Sequence, residues 1–177
     1  MQVQPGDLFL LTTPGMPGRV IRLVTRSRVN HAGIVVDEAG TTVEAMPRGA
    51  MHGQVGPRHI IVRPPMSDVQ RAMVVTAARR FVGTPYGFAD IAALGLAWFG
   101  LRPAFIRRRI ARSSRVICSQ LVVLCLLAAG IRLYVDDRLP QDVTPGDLLE
   151  LAVAAGWVLG ADEVYPRSGG HPDDHKP

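Results

Sequence analysis

Short apolar runs separated by glycine, proline and aspartate punctuation occupy the first third of the chain. Asp7-Leu8-Phe9-Leu10-Leu11 follows a Pro5-Gly6 turn signal and reads as a buried strand, and Ala32–Val36 (AGIVV) reads as a second. A loop rich in Gly and Pro separates them. Asp37-Glu38-Ala39-Gly40 is a turn, Thr41–Met46 (TTVEAM) carries strand-forming residues, and Arg58–Arg63 forms a further strand, which together predict a meander with short connections. The period then changes. Ser67-Asp68-Val69-Gln70 has the spacing of a capping box and Gly83 follows Arg79-Arg80, predicting a helix over Asp68–Val82. Phe88–Phe99 and Phe105–Arg112 are weaker helical segments. Cys118–Ala129 (CSQLVVLCLLAA) is apolar almost all round and stops at Gly130, the pattern of a helix buried against a sheet. Thr144-Pro145-Gly146-Asp147 starts a last helix that Gly156 ends. Pro166–Pro177 is polar, rich in Gly and Pro, and is expected to be a disordered tail. With no internal repeat or dividing linker, residues 1–165 are expected to form one domain and 166–177 the tail.

Composition narrows this picture. A chain of 177 residues, 47% hydrophobic and 20% charged, suits a packed single core and excludes collagen, coiled coil and low-complexity polymer. The longest weakly polar stretch, Phe88–Leu101, contains Asp90 and is shorter than the roughly 20 apolar residues that cross a bilayer. The first residues, Met1–Asp7, lack the basic region and apolar run of a secretory signal, so synthesis in the cytoplasm is expected. The net charge of +5 comes from 20 basic and 15 acidic residues, and Lys176 is the sole lysine. Arg102, Arg107, Arg108, Arg109, Arg112 and Arg115 crowd together, a patch suited to an anionic surface or to a solvated helix face. The preferred reading of Phe88–Arg115 is a helical hairpin packed on the core with arginines outside, and an interfacial membrane segment is the alternative. Nucleic acid is not an expected partner, because only charge favours it.

Three polar residues break the apolar pattern: His31 just before a strand, Glu44 inside one, and Cys118 in the first turn of an apolar helix. A four-residue turn at Asp37–Gly40 sets Gly33 opposite Glu44, leaving His31 diagonal to Glu44 and within reach on a twisted sheet. A helix N-terminus and an imidazolium together bring a thiol well below its usual pKa of about 8.5. Cys118 is therefore the candidate nucleophile, His31 the general base and then acid, and Glu44 the group that fixes the histidine tautomer. The Cys118 backbone N–H supplies one oxyanion donor. Cys125, two turns on, lies about 10 Å away along a helix, beyond disulfide reach, and is assigned to the core. His52 and His59 match no zinc spacing, so neither metal nor cofactor is expected. Ser119 and Gln120 are read as helix-surface or supporting residues, with Gln120 able to reach the site if the helix faces it suitably. Arg48 reads as a solvated loop arginine.

Ala78–Gly87 (ARRFVGTPYG), followed by Ile117-Cys118-Ser119-Gln120-Leu121-Val122, resembles the NlpC-type papain-like cysteine peptidases, in which a GTPY segment precedes a CS-x-LV helix. Those enzymes place a GDL strand and an H-x-G-I strand after the cysteine. Here Gly6-Asp7-Leu8 and His31-Ala32-Gly33-Ile34 come before it, so the chain resembles the circularly permuted branch, over roughly Gly6–Leu149. The resemblance implies an α+β papain-like fold, an antiparallel sheet packed against the helix that carries Cys118. It also implies catalysis by Cys118, His31 and Glu44, with the Tyr86 hydroxyl at the active site. The expected activity is amide hydrolysis in bacterial cell-wall peptides, with a lipid-directed acyl hydrolase or acyltransferase as the alternative and a non-catalytic binding module as the reading from another class. The partner is accordingly a peptide or lipid-like acyl substrate. Ile117 stands where unpermuted members often have aspartate, Gln120 where they have glycine, and the Tyr86–Cys118 insertion is longer, departures that bear on the substrate. Peptidoglycan lies outside the cytoplasm, and a phage protein released by lysis or carried by the virion would reconcile it with the missing signal.

Overall fold

A computed structural model describes residues 2–13, 27–85, 117–136 and 138–160. Strands β1 (Leu8–Leu11), β2 (His31–Val35), β3 (Thr41–Met46), β4 (Gly49–Gln54) and β5 (Ile60–Val62) precede helices α1 (Asp68–Phe81), α2 (Cys118–Ala128) and α3 (Pro145–Ala154). The strands form one antiparallel sheet in the order β4-β3-β2-β1-β5, so the meander runs outward from β1 to β4 and β5 returns to the other side of β1. The protein is an α+β domain. Among the described residues no helix is long and apolar enough to cross a membrane.

Alternation along the strands separates two faces. Leu8, Leu10, Ala32, Ile34, Val43, Ala45 and Val62 join α1 and α2 in the main core, to which α2 contributes Leu121, Val122, Cys125 and Leu126. A helix apolar on all sides needs such a setting, since every face must leave water. The opposite face carries Phe9, His31, Gly33, Val35, Thr42 and Glu44, as the pairings Phe9 with Gly33 and Gly33 with Glu44 require. That register is the one expected from the turn at Asp37–Gly40.

The start signals act as anticipated. In α1 the Ser67 hydroxyl accepts from Gln70 N–H at 3.3 Å while Gln70 Oε1 accepts from Ser67 N–H at 3.0 Å. In α3 Thr144 and Asp147 do the same at 3.1 and 2.7 Å, with Pro145 at the first helical position. Several boundaries need amendment: β1 starts at Leu8 rather than Asp7, and α2 ends at Ala128 rather than Ala129. Strand β2 begins at His31 rather than Ala32 and ends at Val35 rather than Val36, and α1 ends at Phe81, one residue early, because Val82 leaves helical geometry. The pairing in β5 covers Ile60–Val62 rather than the whole of Arg58–Arg63. Strand β4 was not anticipated at all: GAMHGQ has two glycines and no β-branched residue, and its strand conformation comes from six paired positions along β3. The helical segments expected at Phe88–Phe99 and Phe105–Arg112, the arginines Arg102–Arg115, Tyr86 and the tail 166–177 lie outside the described residues.

The N-terminal turn is tied down by one buried carboxylate. Asp7 is fully buried, accepts from Arg63 Nε at 2.9 Å, Arg63 Nη2 at 2.7 Å, Arg71 Nη1 at 3.2 Å and Gln4 N–H at 2.9 Å, and so joins β1 to β5 and α1.

Candidate active site

The register of β2 with β3 carries on to bring His31 level with Met46, at the end of the sheet where the β3–β4 hairpin turns. Gly83 and Thr84, the opening of the GTPY segment, attach to the outer edge of β4 at this end. Ala50 N–H donates to Thr84 O and Gly83 N–H to Ala50 O, both at 2.8 Å. Gly49 permits the approach, with φ +119° and a hypothetical Cβ only 2.9 Å from Thr84 O. Tyr86 follows two residues later, beyond the described segment.

His31 and Glu44 form a pair. His31 Nε2 lies 2.5 Å from Glu44 Oε2, with the two side chains 7% and 14% exposed. An ionised carboxylate only accepts, so Nε2 carries the proton and Nδ1 is left for another partner. Desolvation pushes Glu44 up, but the His31 hydrogen bond and charge, the Thr42 hydroxyl at 3.3 Å and the charge of His59 outweigh it and hold the carboxyl below its ordinary value. Gly53 on β4 makes room for this carboxylate: a Cβ there would lie 1.9 Å from Glu44 Oε1.

Cys118 completes the group. It occupies the first position of α2, where a backbone N–H has no acceptor within the helix and the helix dipole favours negative charge. Burial of the His31 ring opposes its charged form, but the neighbouring Cys118 and Glu44 favour that form, and the balance raises the imidazole to about 9. The arrangement joins the helix and two adjacent strands, and it can hold an imidazolium between a sulfur and a carboxylate. Of the four residues expected at the site, the structure brings Cys118, His31 and Glu44 together, and Tyr86 lies outside the described residues.

The neighbours of Cys118 have structural work. Ser119 is buried and its hydroxyl donates to Val143 O at 2.6 Å. Gln120 folds back so that Oε1 accepts from Ile117 N–H at 3.3 Å, which makes it a cap for the start of α2. Cys125 is buried in the core, which pushes its thiol up to about 12. Both cysteines are free. Among the described residues no three His, Cys, Asp or Glu side chains are grouped so as to hold a metal.

Two residues of the site escaped the sequence reading. Phe9, taken as a plain core residue, packs its ring so closely over Gly33 that a Cβ there would be 2.5 Å away, and its ring lies 5.8 Å from the His31 ring. His59 stands on the other side of Phe9, with ring centroids 4.8 Å apart in an edge-to-face arrangement. Only the glycine of H-x-G-I hinted at this crowding.

No family model matches the chain, and no curated protein does. Among solved structures the fold is similar to the crystal structure of the metalloprotein yiiX from Escherichia coli O157:H7, a DUF1105 protein. The TM-score is 0.57 with 20% sequence identity, over 80% of this chain and 79% of that one, a likeness that shows the α+β fold alone.

Proposed function

We propose that the chain is a cysteine-dependent hydrolase of the circularly permuted, NlpC-type papain-like superfamily, acting on amide bonds through a Cys118 thioester, with bacterial cell-wall peptides as substrates. The observation that carries this reading is the His31–Glu44 pair at 2.5 Å beside a cysteine on the first turn of a buried helix. The order His31, Glu44, Cys118 along the chain supports the permuted branch.

In this mechanism the Cys118 thiolate attacks the carbonyl carbon, a C–S bond forms, and the oxyanion takes a hydrogen bond from Cys118 N–H. The protonated His31 gives its Nδ1 proton to the departing amine as the C–N bond breaks. Water then loses a proton to Nδ1 and attacks the thioester, which releases the carboxylic acid and returns the sulfur. Glu44 keeps Nε2 protonated and stabilises the imidazolium throughout. The resemblance assigns Tyr86 as a second oxyanion donor. The yiiX neighbour is called a metalloprotein; in this reading His31 Nδ1 serves Cys118.

The test is the pH dependence of iodoacetamide labelling at Cys118, read by peptide mapping in the parent and in His31→Ala, with buried Cys125 as internal control. Labelling of Cys118 that is fast in the parent and slowed in His31→Ala is the expected result. Ordinary thiol behaviour in both proteins would overturn the nucleophile assignment and leave a non-catalytic binding module. Turnover of muropeptides by the parent and not by Cys118→Ala identifies the substrate class. Release of fatty acid from liposomes in their place would identify a lipid-directed enzyme.

A further inference from the structure

We propose that His59 is a positioning residue for the His31 ring and acts through Phe9. The inference rests on the catalytic reading above and deepens it, since it concerns how the base is held.

The Glu44 bond fixes one end of the His31 imidazole, but one hydrogen bond leaves the ring free to tilt about it. Phe9 supplies a wall. Its ring is fully buried, pressed onto Gly33 from the same face of the sheet, and tilted 57° to the His31 ring. Phe9 sits on β1 directly opposite Gly33, so the strand pairing sets its ring between the two histidines. On the far side the His59 ring meets it at 70°. His59 is itself anchored, because its Nδ1 lies 2.9 Å from Gly56 N and 3.0 Å from Gly56 O within the turn that leads into β5. The three rings therefore form a row, His59, Phe9 and His31, in which the outer histidine limits the movement of the phenylalanine and the phenylalanine limits that of the base. Removing the outer ring gives Phe9 space, and the Nδ1 of His31 spends less time aligned with Cys118.

His59 also lies near enough for its charge to act on Glu44. A charge role and a packing role are separable, because phenylalanine at this position keeps a ring and removes the charge.

The experiment measures Cys118 labelling by iodoacetamide from acid to mildly alkaline pH in the parent, His59→Ala and His59→Phe, with thermal unfolding of each. His59→Ala is expected to slow labelling at mildly acidic pH by about threefold to tenfold, the size of one lost edge-to-face aromatic contact, and His59→Phe to restore it. Equal losses in both variants would overturn the packing account in favour of charge. Parent-like profiles in both would overturn the inference outright while leaving the catalytic reading intact. If His31→Ala labels like the parent, the catalytic reading itself fails and the inference falls with it. Should His59→Ala not fold, His59→Gln, which keeps an acceptor near Gly56 N–H, takes its place.

Discussion

Alanine in place of Gly53 would put a methyl group where the Glu44 carboxylate lies. The added Cβ falls 1.9 Å from Glu44 Oε1, 3.0 Å from its Cδ and 2.8 Å from Thr42 Oγ1, whereas real Cβ contacts essentially never fall under 3.0 Å. The carboxylate must retreat by at least about 1.1 Å. It cannot retreat across the sheet, since His31 already stands 2.5 Å from the other oxygen, so it must lift off the surface and release the imidazole. A hydrogen bond to a charged group contributes about 1.5–3 kcal/mol, so the reactivity of Cys118 at mildly acidic pH should fall by about tenfold to a hundredfold. The fold should survive, because the displaced atoms are the tip of a flexible side chain and alanine is favoured over glycine within a strand by roughly 0.5–1 kcal/mol. The assay pairs urea unfolding with the iodoacetamide pH profile, and Glu44→Gln serves as the reference for a lost carboxylate. A Gly53→Ala protein of parental stability with a parental Cys118 profile would refute the argument that Glu44 orients His31 from this position.

Gly33→Ala faces a harder obstruction, with its Cβ 2.5 Å from the Phe9 ring and 2.8 Å from the backbone oxygen of Val43. It should lose about 1–3 kcal/mol in urea unfolding, and unchanged stability would contradict the packing. The raised pKa of His31, from 6.5 to about 9, corresponds to at most about 3 kcal/mol of stability. Because the folded value is the higher one, that contribution is complete below 6.5 and is lost as pH rises through about 9. Glu44, held below its ordinary 4.5, contributes above that value and loses its contribution as pH falls. Thermal melts should therefore weaken on both sides of a mildly acidic optimum, with the alkaline loss absent from His31→Gln; a parent profile flat from neutral to alkaline pH would count against the pairing. Asp7→Ala strips the shared partner from Arg63 and Arg71, and should cost on the order of 3 kcal/mol, measured by the same unfolding assay. A loss under half that size would mean that water replaces the carboxylate.

Most of what governs local geometry was legible along the chain. The capping boxes at Ser67 and Thr144 announce themselves because their hydrogen bonds span three residues and involve only near neighbours. The Asp37–Gly40 turn set the β2–β3 register, and with it the approach of His31 to Glu44, because a hairpin couples two strands through four residues of turn. The helix under Cys118 was visible from an unbroken apolar stretch. Strand β4 was not, since nothing in GAMHGQ favours a strand except the neighbour it pairs with. The places of His59 and Phe9 were not legible for the same reason: along the chain one belongs to the expected strand Arg58–Arg63 and the other to a buried strand, and nothing local sets the two rings together.

The sequence by itself determined the described elements other than β4, the β2–β3 pairing and the candidacy of Cys118, His31 and Glu44 as a group, because these depend on periodicity, caps and one short turn. Only the tertiary structure decided that α2 starts beside the imidazole and that Gly53 clears a place for the Glu44 carboxylate. It alone set Phe9 between two histidines. Those relations join residues on different elements, and their positions follow from how the sheet and helices exclude water and fill space together, a property of the packed whole that no single stretch of sequence carries.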